Sequence, residues 1–256
     1  HYLDITGEIE VFEALHGMDA DAKTAGVMLM PGTGFDVVPS DCLAAHLKSK
    51  LPDAFDLVLA IQAIGRPSRG TATTMIENVH KGGLIRVNGK LSKVPSAWQT
   101  LDFDLGEGDV SCMTIPWGDV STAYYSTGIP NIRVFMAAPP QLRTMAVISR
   151  YFGPVLASGP VQGLIKRNIQ KGPAGPSDDE RKKGHSLVWG RVENKKGKTA
   201  EARLRTPEGY TLTARTSLAI AQRALNGDAP AGFQTPSMAY GADFVLQFED
   251  IERTDL

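Results

Sequence analysis

Apolar positions in the first fifty residues follow a pattern that predicts alternating strands and helices. Residues 2–5 predict a strand, residues 9–16 a helix with one apolar face, and residues 19–25 a second helical piece. Residues 27–30 are consecutive apolar residues, which is typical of a strand covered on both faces in a parallel sheet. A further helix is expected after Pro39. The alternation as a whole predicts parallel βαβ packing.

Beyond residue 51 the pattern changes to shorter strands and hairpins. The dipeptide Asn88-Gly89 lies between two apolar runs and predicts a tight hairpin turn. Further strands are predicted at residues 57–61, 101–105, 110–115, 131–137, 186–192, 202–205 and 244–246. Helices are predicted over residues 71–80, 139–171 and 212–225, and the polar segment 172–184 is predicted to be a mobile loop.

These patterns together predict a chain of two parts, α/β followed by α+β. Residues 1–51 would form the C-terminal part of a doubly wound domain, and residues 52–256 an α+β domain built on a mixed sheet. The last helix and the tail would pack back on the first part. Such a chain is long enough for one large domain or two small ones.

Composition and charge narrow the classes of function. The 256 residues are 42% hydrophobic and 21% charged, which is typical of a globular protein, and the net charge of -1 argues against nucleic acid as a partner. Cys42 and Cys112 are the only cysteines, so neither a disulfide scaffold nor a cysteine-rich metal site is expected. No signal peptide and no membrane-spanning apolar run is visible, so a cytoplasmic protein is predicted.

A glycine turn joins the predicted strand at 27–30 to the helix that follows it. Gly32 and Gly34 would let the backbone approach a ligand, and Ser40 and Asp41 would satisfy the free N–H groups of the helix. Ligands of open α/β sheets lie at the carboxyl ends of strands, where this turn would be. The alternative is a well-capped strand-helix connection without a ligand.

Five short motifs together resemble the saccharopine dehydrogenase-like oxidoreductases, and among these the trans-acting enoyl reductases. They are YLDITGE at 2–8, PGTGFD at 31–36, PSD at 39–41, SRGT at 68–71 and PWGD at 116–119. The resemblance implies a Rossmann domain that binds NADP or NAD, followed by a substrate and dimerisation domain. A homodimer is therefore expected.

The same resemblance assigns cofactor contacts. It implies that Asp4, Thr6 and Gly7 end a late Rossmann strand near the nicotinamide. It also implies that residues 32–36, with Gly32, Gly34 and Phe35, line the same cleft.

The sequence departs from this family in one respect. It has no GxGxxG after an opening strand, which is the turn that holds a dinucleotide pyrophosphate. The chain also starts without Met and inside a predicted strand. We therefore expect a fragment whose N-terminal Rossmann portion is missing, with NADP or NAD binding that requires the upstream segment. The alternative is a natural loss of cofactor binding.

Three residues are candidates for catalysis. Reduction of a conjugated carbonyl needs a donor for the developing oxyanion and a proton for the adjacent carbon. Tyr124 or Tyr125 could supply either from the predicted helix after Asp119, and Asp36 could orient the substrate or the nicotinamide ribose. The alternatives are packing roles for the tyrosines and a hydrogen bond from Asp36 that holds the glycine turn.

Two further segments are candidates for binding. Arg66, Ser68, Arg69 and Thr71 precede a predicted helix and could bind a substrate or coenzyme anion. The alternative is a solvated loop capped by Thr71. Residues 155–169 could rest on a membrane surface or cover an acyl chain, the alternative being an ordinary amphipathic helix.

The sequence thus predicts an NAD(P)-dependent oxidoreductase, or its catalytic-domain fragment. Its expected substrate is an unsaturated or carbonyl compound, such as an enoyl compound, either small or lipid-linked. The alternative is a non-catalytic scaffold or dimerisation module on the same fold.

Overall fold

A computed structural model describes residues 1–78 and 82–256 of the chain. The end of the helix predicted over 71–80, with Val79 and His80, lies outside the described residues. In the part that is described, no helix is both long and apolar enough to cross a bilayer.

The described chain contains the following strands and helices. The strands are β1 (Tyr2–Leu3), β2 (Met28–Met30), β3 (Ala54–Ile64), β4 (Gly83–Val87), β5 (Lys90–Val94), β6 (Thr100–Asp104), β7 (Asp109–Thr114), β8 (Asn131–Ala137), β9 (His185–Asn194), β10 (Thr199–Pro207), β11 (Gly232–Phe233) and β12 (Glu252–Asp255). The helices are α1 (Ile9–Gly17), α2 (Asp19–Thr24), α3 (Val38–Lys50), α4 (Arg69–Asn78), α5 (Asp119–Thr127), α6 (Pro140–Leu156), α7 (Gly159–Lys171), α8 (Asp178–Lys183), α9 (Gly209–Leu225) and α10 (Pro236–Tyr240), with a 3₁₀-helix at Phe244–Gln247.

Two sheets organise these elements. The small sheet is parallel throughout, in the order β1-β2-β11, so the predicted parallel arrangement of the front strands is confirmed. The large sheet has the order β12-β10-β9-β3-β8-β4-β5, and β7 pairs with both β8 and β6. In it β3 and β8 run parallel, whereas the other pairs run antiparallel. The architecture is therefore mixed α/β with one parallel and one mixed sheet.

Helix α3 lies at the centre of the molecule. Pro39 is in its first turn, as predicted, and Leu43, Leu47 and the following Leu51 are buried. They belong to one apolar cluster that also contains Met28 of the small sheet and strand residues of the large one. Gly190 of β9 gives α3 room, because a Cβ there would lie 2.7 Å from Leu47 Cδ1. Close packing of α3 on the sheet fixes the direction in which its N-terminus points.

Ser40 and Asp41 do not cap α3, so that expectation was wrong. Ser40 Oγ donates to Asp119 Oδ2 over 2.8 Å, and Asp41 Oδ2 accepts from the N–H of Ser237 over 2.8 Å. Both side chains are buried. They therefore connect α3 with α5 and α10 instead of binding the free N–H groups of their own helix.

Two predictions in the second half were also wrong. Residues 244–246 form a 3₁₀-helix instead of a strand, because Phe244 and Val245 are buried in the cluster around α3 and tertiary packing overrides strand propensity. The loop predicted over 172–184 contains α8. Its start is a capping box between Ser177 and Glu180, a signal that is visible in the sequence SDDE.

Candidate functional site

The carboxyl ends of the small parallel sheet meet at one edge, where two strand ends are joined by hydrogen bonds. Asp4, directly after β1, accepts with Oδ1 from the N–H of Thr6 at 2.9 Å and from that of Gly32 at 3.2 Å. The main-chain oxygen of Asp4 accepts from both N and Oγ1 of Thr33, each at 2.8 Å. Through these hydrogen bonds Asp4 joins the glycine turn after β2 to the end of β1.

The glycines of this turn are packed by the protein's own side chains. Gly32 has φ +76°, and a Cβ on it would lie 2.5 Å from Val37 Cγ2. A Cβ on Gly34 would lie 2.8 Å from Thr213 Cγ2, and the N–H of Phe35 donates to Thr213 Oγ1 at 2.9 Å. The space next to these glycines, where a ligand was expected, is therefore filled by Val37, directly before α3, and by Thr213 of α9.

Asp36 stands apart from this network. Within the described part of the chain its carboxyl group makes no hydrogen bond, although Oδ2 would lie 2.9 Å from a Cβ built on Gly7. Burial, with a smaller contribution from the negative charge of Glu8, raises the pKa of Asp36 to about 6. Asp36 thus has no hydrogen-bond partner in the chain as described, lies where the parallel strands end, and titrates within about one pH unit of neutrality. Functional sites of α/β proteins typically combine these features.

Two more carboxyl groups belong to the first turns of α3 and α5. Asp41 and Asp119 are fully buried, and burial raises the pKa of both groups. Oδ1 of each has no hydrogen-bond partner among the described residues. Gly118 brings α5 close to this edge, because a Cβ on it would lie 3.3 Å from the carbonyl oxygen of Gly7. Two fully buried acids therefore lie next to this edge, and burial favours the neutral form of both.

Tyr125 has local partners on α1. Its hydroxyl group donates to Glu13 Oε2 at 2.7 Å, and its ring stacks on His16 with centroids 3.8 Å apart. Burial and the bond to Glu13 raise the pKa of Tyr125. Burial would also raise the pKa of Glu13, but hydrogen bonds from Ser121, Tyr125 and Arg86 outweigh it and lower that pKa.

Tyr124 lies beneath a buried guanidinium group. The Cζ of Arg86 is 4.3 Å from its ring centroid, and Gly89 of the β4–β5 hairpin lies against its hydroxyl group. As far as the chain is described, no hydrogen bond links Tyr124 or Tyr125 with Asp36. The structure therefore does not join the three catalytic candidates in one constellation.

The predicted anion-binding residues cluster at the start of α4, but most of their donors are engaged. Arg69 directs Nε and Nη2 to the carbonyl oxygen of Gly172, at 3.0 and 2.6 Å. Thr71 Oγ1 lies 3.1 Å from Ser68 Oγ and 2.9 Å from the hydroxyl oxygen of Tyr210. Arg66 is half-exposed and lies 3.5 Å from Glu180. Of these residues, Arg66, Ser68 and Arg69 border a cavity of about 220 Å³ between α4 and α7.

Sequence reasoning missed the contribution of α9. Thr216 Oγ1 and Ser217 Oγ donate to the carbonyl oxygen of Thr33 at 2.7 and 3.2 Å, beside the bond to Thr213 described above. The signal was a stripe of hydroxyl side chains at helical spacing, at 213, 216 and 217, on the predicted last helix. Its partner, more than 170 residues upstream, could not be known without the fold.

Comparison with known proteins supports the fold. No protein-family model and no curated protein sequence matches this chain. A solved structure, apo histidine-tagged saccharopine dehydrogenase (L-Glu forming) from Saccharomyces cerevisiae, matches with a TM-score of 0.57 at 10% identity. The match covers 95% of this chain and 77% of that chain. The chain thus has a saccharopine dehydrogenase-like fold, which confirms that part of the resemblance.

Replacing Asp36 by asparagine is expected to stabilise the fold in a pH-dependent way. Because the folded state raises the pKa of Asp36 from 3.8 to about 6, ionisation of this group destabilises the fold. The stability that the protonated form provides is lost as the pH rises through about 6. At about pH 8, Asp36→Asn should raise the free energy of unfolding by up to ~3 kcal/mol, and below about pH 4 by almost nothing.

Urea unfolding of both proteins across this pH range measures the difference. Asp21→Asn, which changes an exposed acid of α2, is the control and should leave the pH dependence unchanged. Equal stability of wild type and Asp36→Asn at every pH would mean that the carboxyl group is well solvated.

Proposed function

We propose that the full-length protein is an NAD(P)-dependent oxidoreductase that reduces an unsaturated or carbonyl substrate, and that this chain carries its catalytic part. An enoyl group, on a small or a lipid-linked molecule, is the substrate that the resemblance to trans-acting enoyl reductases favours. The proposal includes a homodimer in the cytoplasm. The two buried, unpaired thiols of Cys42 and Cys112 fit a reducing compartment.

The observation that carries this proposal is the position and state of Asp36. A free carboxyl group follows the central strand of a parallel sheet at the edge where α/β proteins bind ligands. Its desolvation is not offset by any hydrogen bond among the described residues, and carboxyl groups perturbed in this way cluster at functional sites. The fold similarity to saccharopine dehydrogenase is consistent with this site.

The residues at this edge fit the reactive end of a dinucleotide better than its phosphates. Buried polar atoms without a partner in the described chain, Trp117 Nε1 and Asp119 Oδ1, flank the contact between Gly118 and Gly7. In contrast, the N–H groups of Gly32, Thr33 and Phe35 already donate within the protein. The proposal therefore assigns the pyrophosphate contacts to a segment outside this sequence.

Roles follow from this placement. A bound nicotinamide supplies a hydride. The pKa of Asp36, raised to about 6, leaves a minor fraction of the molecules protonated at neutral pH, and in these the carboxyl group can donate its proton to a carbon in contact with it. The proposal places Gly7 and the turn at 32–35 beside the nicotinamide, where the resemblance puts them. Arg66 is the cation that the proposal assigns to a substrate or coenzyme anion, since its ion pair with Glu180 is long and half-exposed.

The test is binding and hydride transfer by the full-length protein. Titration with NADPH and NADH should quench or blue-shift the fluorescence of the reduced cofactor. With crotonyl-coenzyme A as the probe, Asp36→Asn should lower kcat about 100-fold, the scale expected for loss of a positioned proton donor. It should leave the cofactor affinity unchanged, and Asp21→Asn should change neither quantity.

The outcomes separate the two functions that the sequence left open. If neither cofactor binds to the full-length protein, the oxidoreductase proposal is rejected in favour of a scaffold or dimerisation module on the same fold. If the cofactor binds and Asp36→Asn turns over at the wild-type rate, the proton does not come from Asp36. Tyr124→Phe is then the variant to measure.

A further inference from the structure

The helical hairpin α6–α7 has a charge composition unlike the rest of the molecule. Residues 120–177 contain no Asp or Glu, although the whole chain has 28 acids and 27 Lys or Arg residues. The hairpin carries Arg143, Arg150, Lys166, Arg167 and Lys171. It is therefore a purely cationic surface on a protein that is nearly neutral overall.

The outward side of α6 is strongly apolar. Met145 and Ile148, spaced to share one helix face, are 57% and 47% exposed, and Phe152, at a kink in the helix, is 55% exposed. Tyr151 and Val155 next to them are 79% and 56% exposed, and Leu164 of α7 is 71% exposed. We call the set Met145, Ile148, Tyr151, Phe152, Val155 and Leu164 the outer apolar patch.

This patch is not the side by which α6 packs on the protein. Leu142 and Ala146 do that, in a small cluster with Ala97 and Met113. Arg150 fixes the helix further, since its Nε and Nη2 donate to the carbonyl oxygens of Ser96 and Ala97 at 2.7 and 2.6 Å. An ordinary amphipathic helix turns its large apolar residues to the core, whereas α6 presents them to the outside.

Two exposed cations of the hairpin, Arg167 and Lys171, are available to an external partner. Among the described residues, no carboxylate lies within ion-pair distance of Arg143, Arg167 or Lys171, and the partners of Arg150 are uncharged carbonyls. Lys166 alone pairs with an acid, Glu77 of α4. A partner that covers the patch must therefore present apolar groups together with negative charge.

Charge argues against a second copy of this chain as that partner. In a two-fold symmetric dimer the same patch meets itself, so cations of the hairpin would face cations with no acid of the hairpin between them. A bilayer that contains anionic lipids meets both requirements, because it offers acyl chains beneath a negatively charged surface.

We propose that the α6–α7 hairpin docks the protein on the surface of an anionic phospholipid bilayer, with the outer apolar patch in the headgroup region. Arg167 and Lys171 contact lipid phosphates or carboxylates. The small core below α6 holds the hairpin in place, so that docking needs no unfolding of the protein. This surface is independent of the site at Asp36.

Sedimentation with lipid vesicles tests the proposal. Vesicles of phosphatidylcholine with about 30 mol% phosphatidylserine should bind the protein, and pure phosphatidylcholine or about 0.5 M salt should release most of it. Ile148→Ser with Phe152→Ser should weaken binding at least tenfold, because two apolar side chains no longer enter the bilayer. Arg167→Gln with Lys171→Gln should weaken it about 25-fold, roughly fivefold for each charge.

A matched control comes from α9, where Leu218 and Leu225 are 71% and 88% exposed. Leu218→Ser with Leu225→Ser should leave vesicle binding unchanged. Circular dichroism and thermal unfolding show whether each variant is folded, and the charge variants, at exposed positions, keep the test informative if the serine variants are not. Failure of the wild type to bind phosphatidylserine vesicles would overturn the proposal. So would serine variants that bind as wild type but change a dimer into a monomer, which would identify a second copy as the partner.

Discussion

Gly32→Ala is expected to destabilise the protein by about 2–5 kcal/mol. Two costs add at this position. Gly32 has φ +76°, and a left-handed alanine costs roughly 1–2 kcal/mol. The new Cβ would also lie 2.5 Å from Val37 Cγ2 and 3.1 Å from Phe12 Cε1, both fully buried side chains that cannot move away. Overpacking of this kind costs about 1–3 kcal/mol.

Gly26→Ala separates the two costs. Gly26 also has a positive φ, +64°, but nothing lies within 4 Å of a Cβ built on it. Urea unfolding should therefore show a loss of only about 1–2 kcal/mol for Gly26→Ala. Similar losses for both variants would show that the turn after β2 relaxes easily, which would weaken the argument for a rigid edge at Asp36.

Arg86→Met is expected to destabilise the fold by about 2–4 kcal/mol, because it removes a buried guanidinium group that donates hydrogen bonds to two carbonyl groups and to a carboxylate that is itself 33% exposed. Arg86 is 3% exposed and ion-paired with Glu13 of α1. Its guanidinium group also donates to the carbonyl oxygens of Val120 at 2.7 Å and of Gly89 at 2.9 Å. The substitution therefore removes the charged donor from Glu13, which keeps the hydrogen bonds from Ser121 and Tyr125, and it takes a buried donor from two carbonyl groups.

Arg133→Met provides the comparison. Arg133 forms a 3.0 Å ion pair with Asp56, but its side chain and that of Asp56 are 29% and 33% exposed. Denaturant unfolding should show a loss of no more than about 1 kcal/mol for this partly exposed pair. If Arg86→Met is as mild as Arg133→Met, the network around Glu13 is not what joins α1, α5 and the β4–β5 hairpin.

The fold could be predicted from sequence where the cause is local. Asn88-Gly89 forms the predicted hairpin with φ values of 49° and 78°, the conformation that these two residues tolerate best. The helix after Pro39 and the strand Asn131–Ala137 are confirmed for the same reason. Residues 244–246 were predicted wrongly, because their burial around α3 outweighs their own preference for a strand.

The candidate site was predictable in its position but not in its contacts. The pattern of strand, glycine turn and helix placed Gly32 and Asp36 at the end of a parallel strand, and β2 confirms that arrangement. That Asp36 lies against Gly7, that Asp4 binds Gly32, and that α9 binds the turn depend on residues far apart in the chain. Whether these residues act on a cofactor stays a prediction.

Most strands, turns and helices of this chain could thus be predicted from the sequence alone. The signals were the alternation of apolar residues, the residues typical of turns and those typical of helix starts, and all of them act between neighbours in sequence. The order of the strands, the isolation of the Asp36 carboxyl group and the outward direction of the apolar side of α6 were decided only by tertiary packing. These features depend on which surfaces exclude water from one another. Water is excluded only after segments separated by as many as 214 residues have come together.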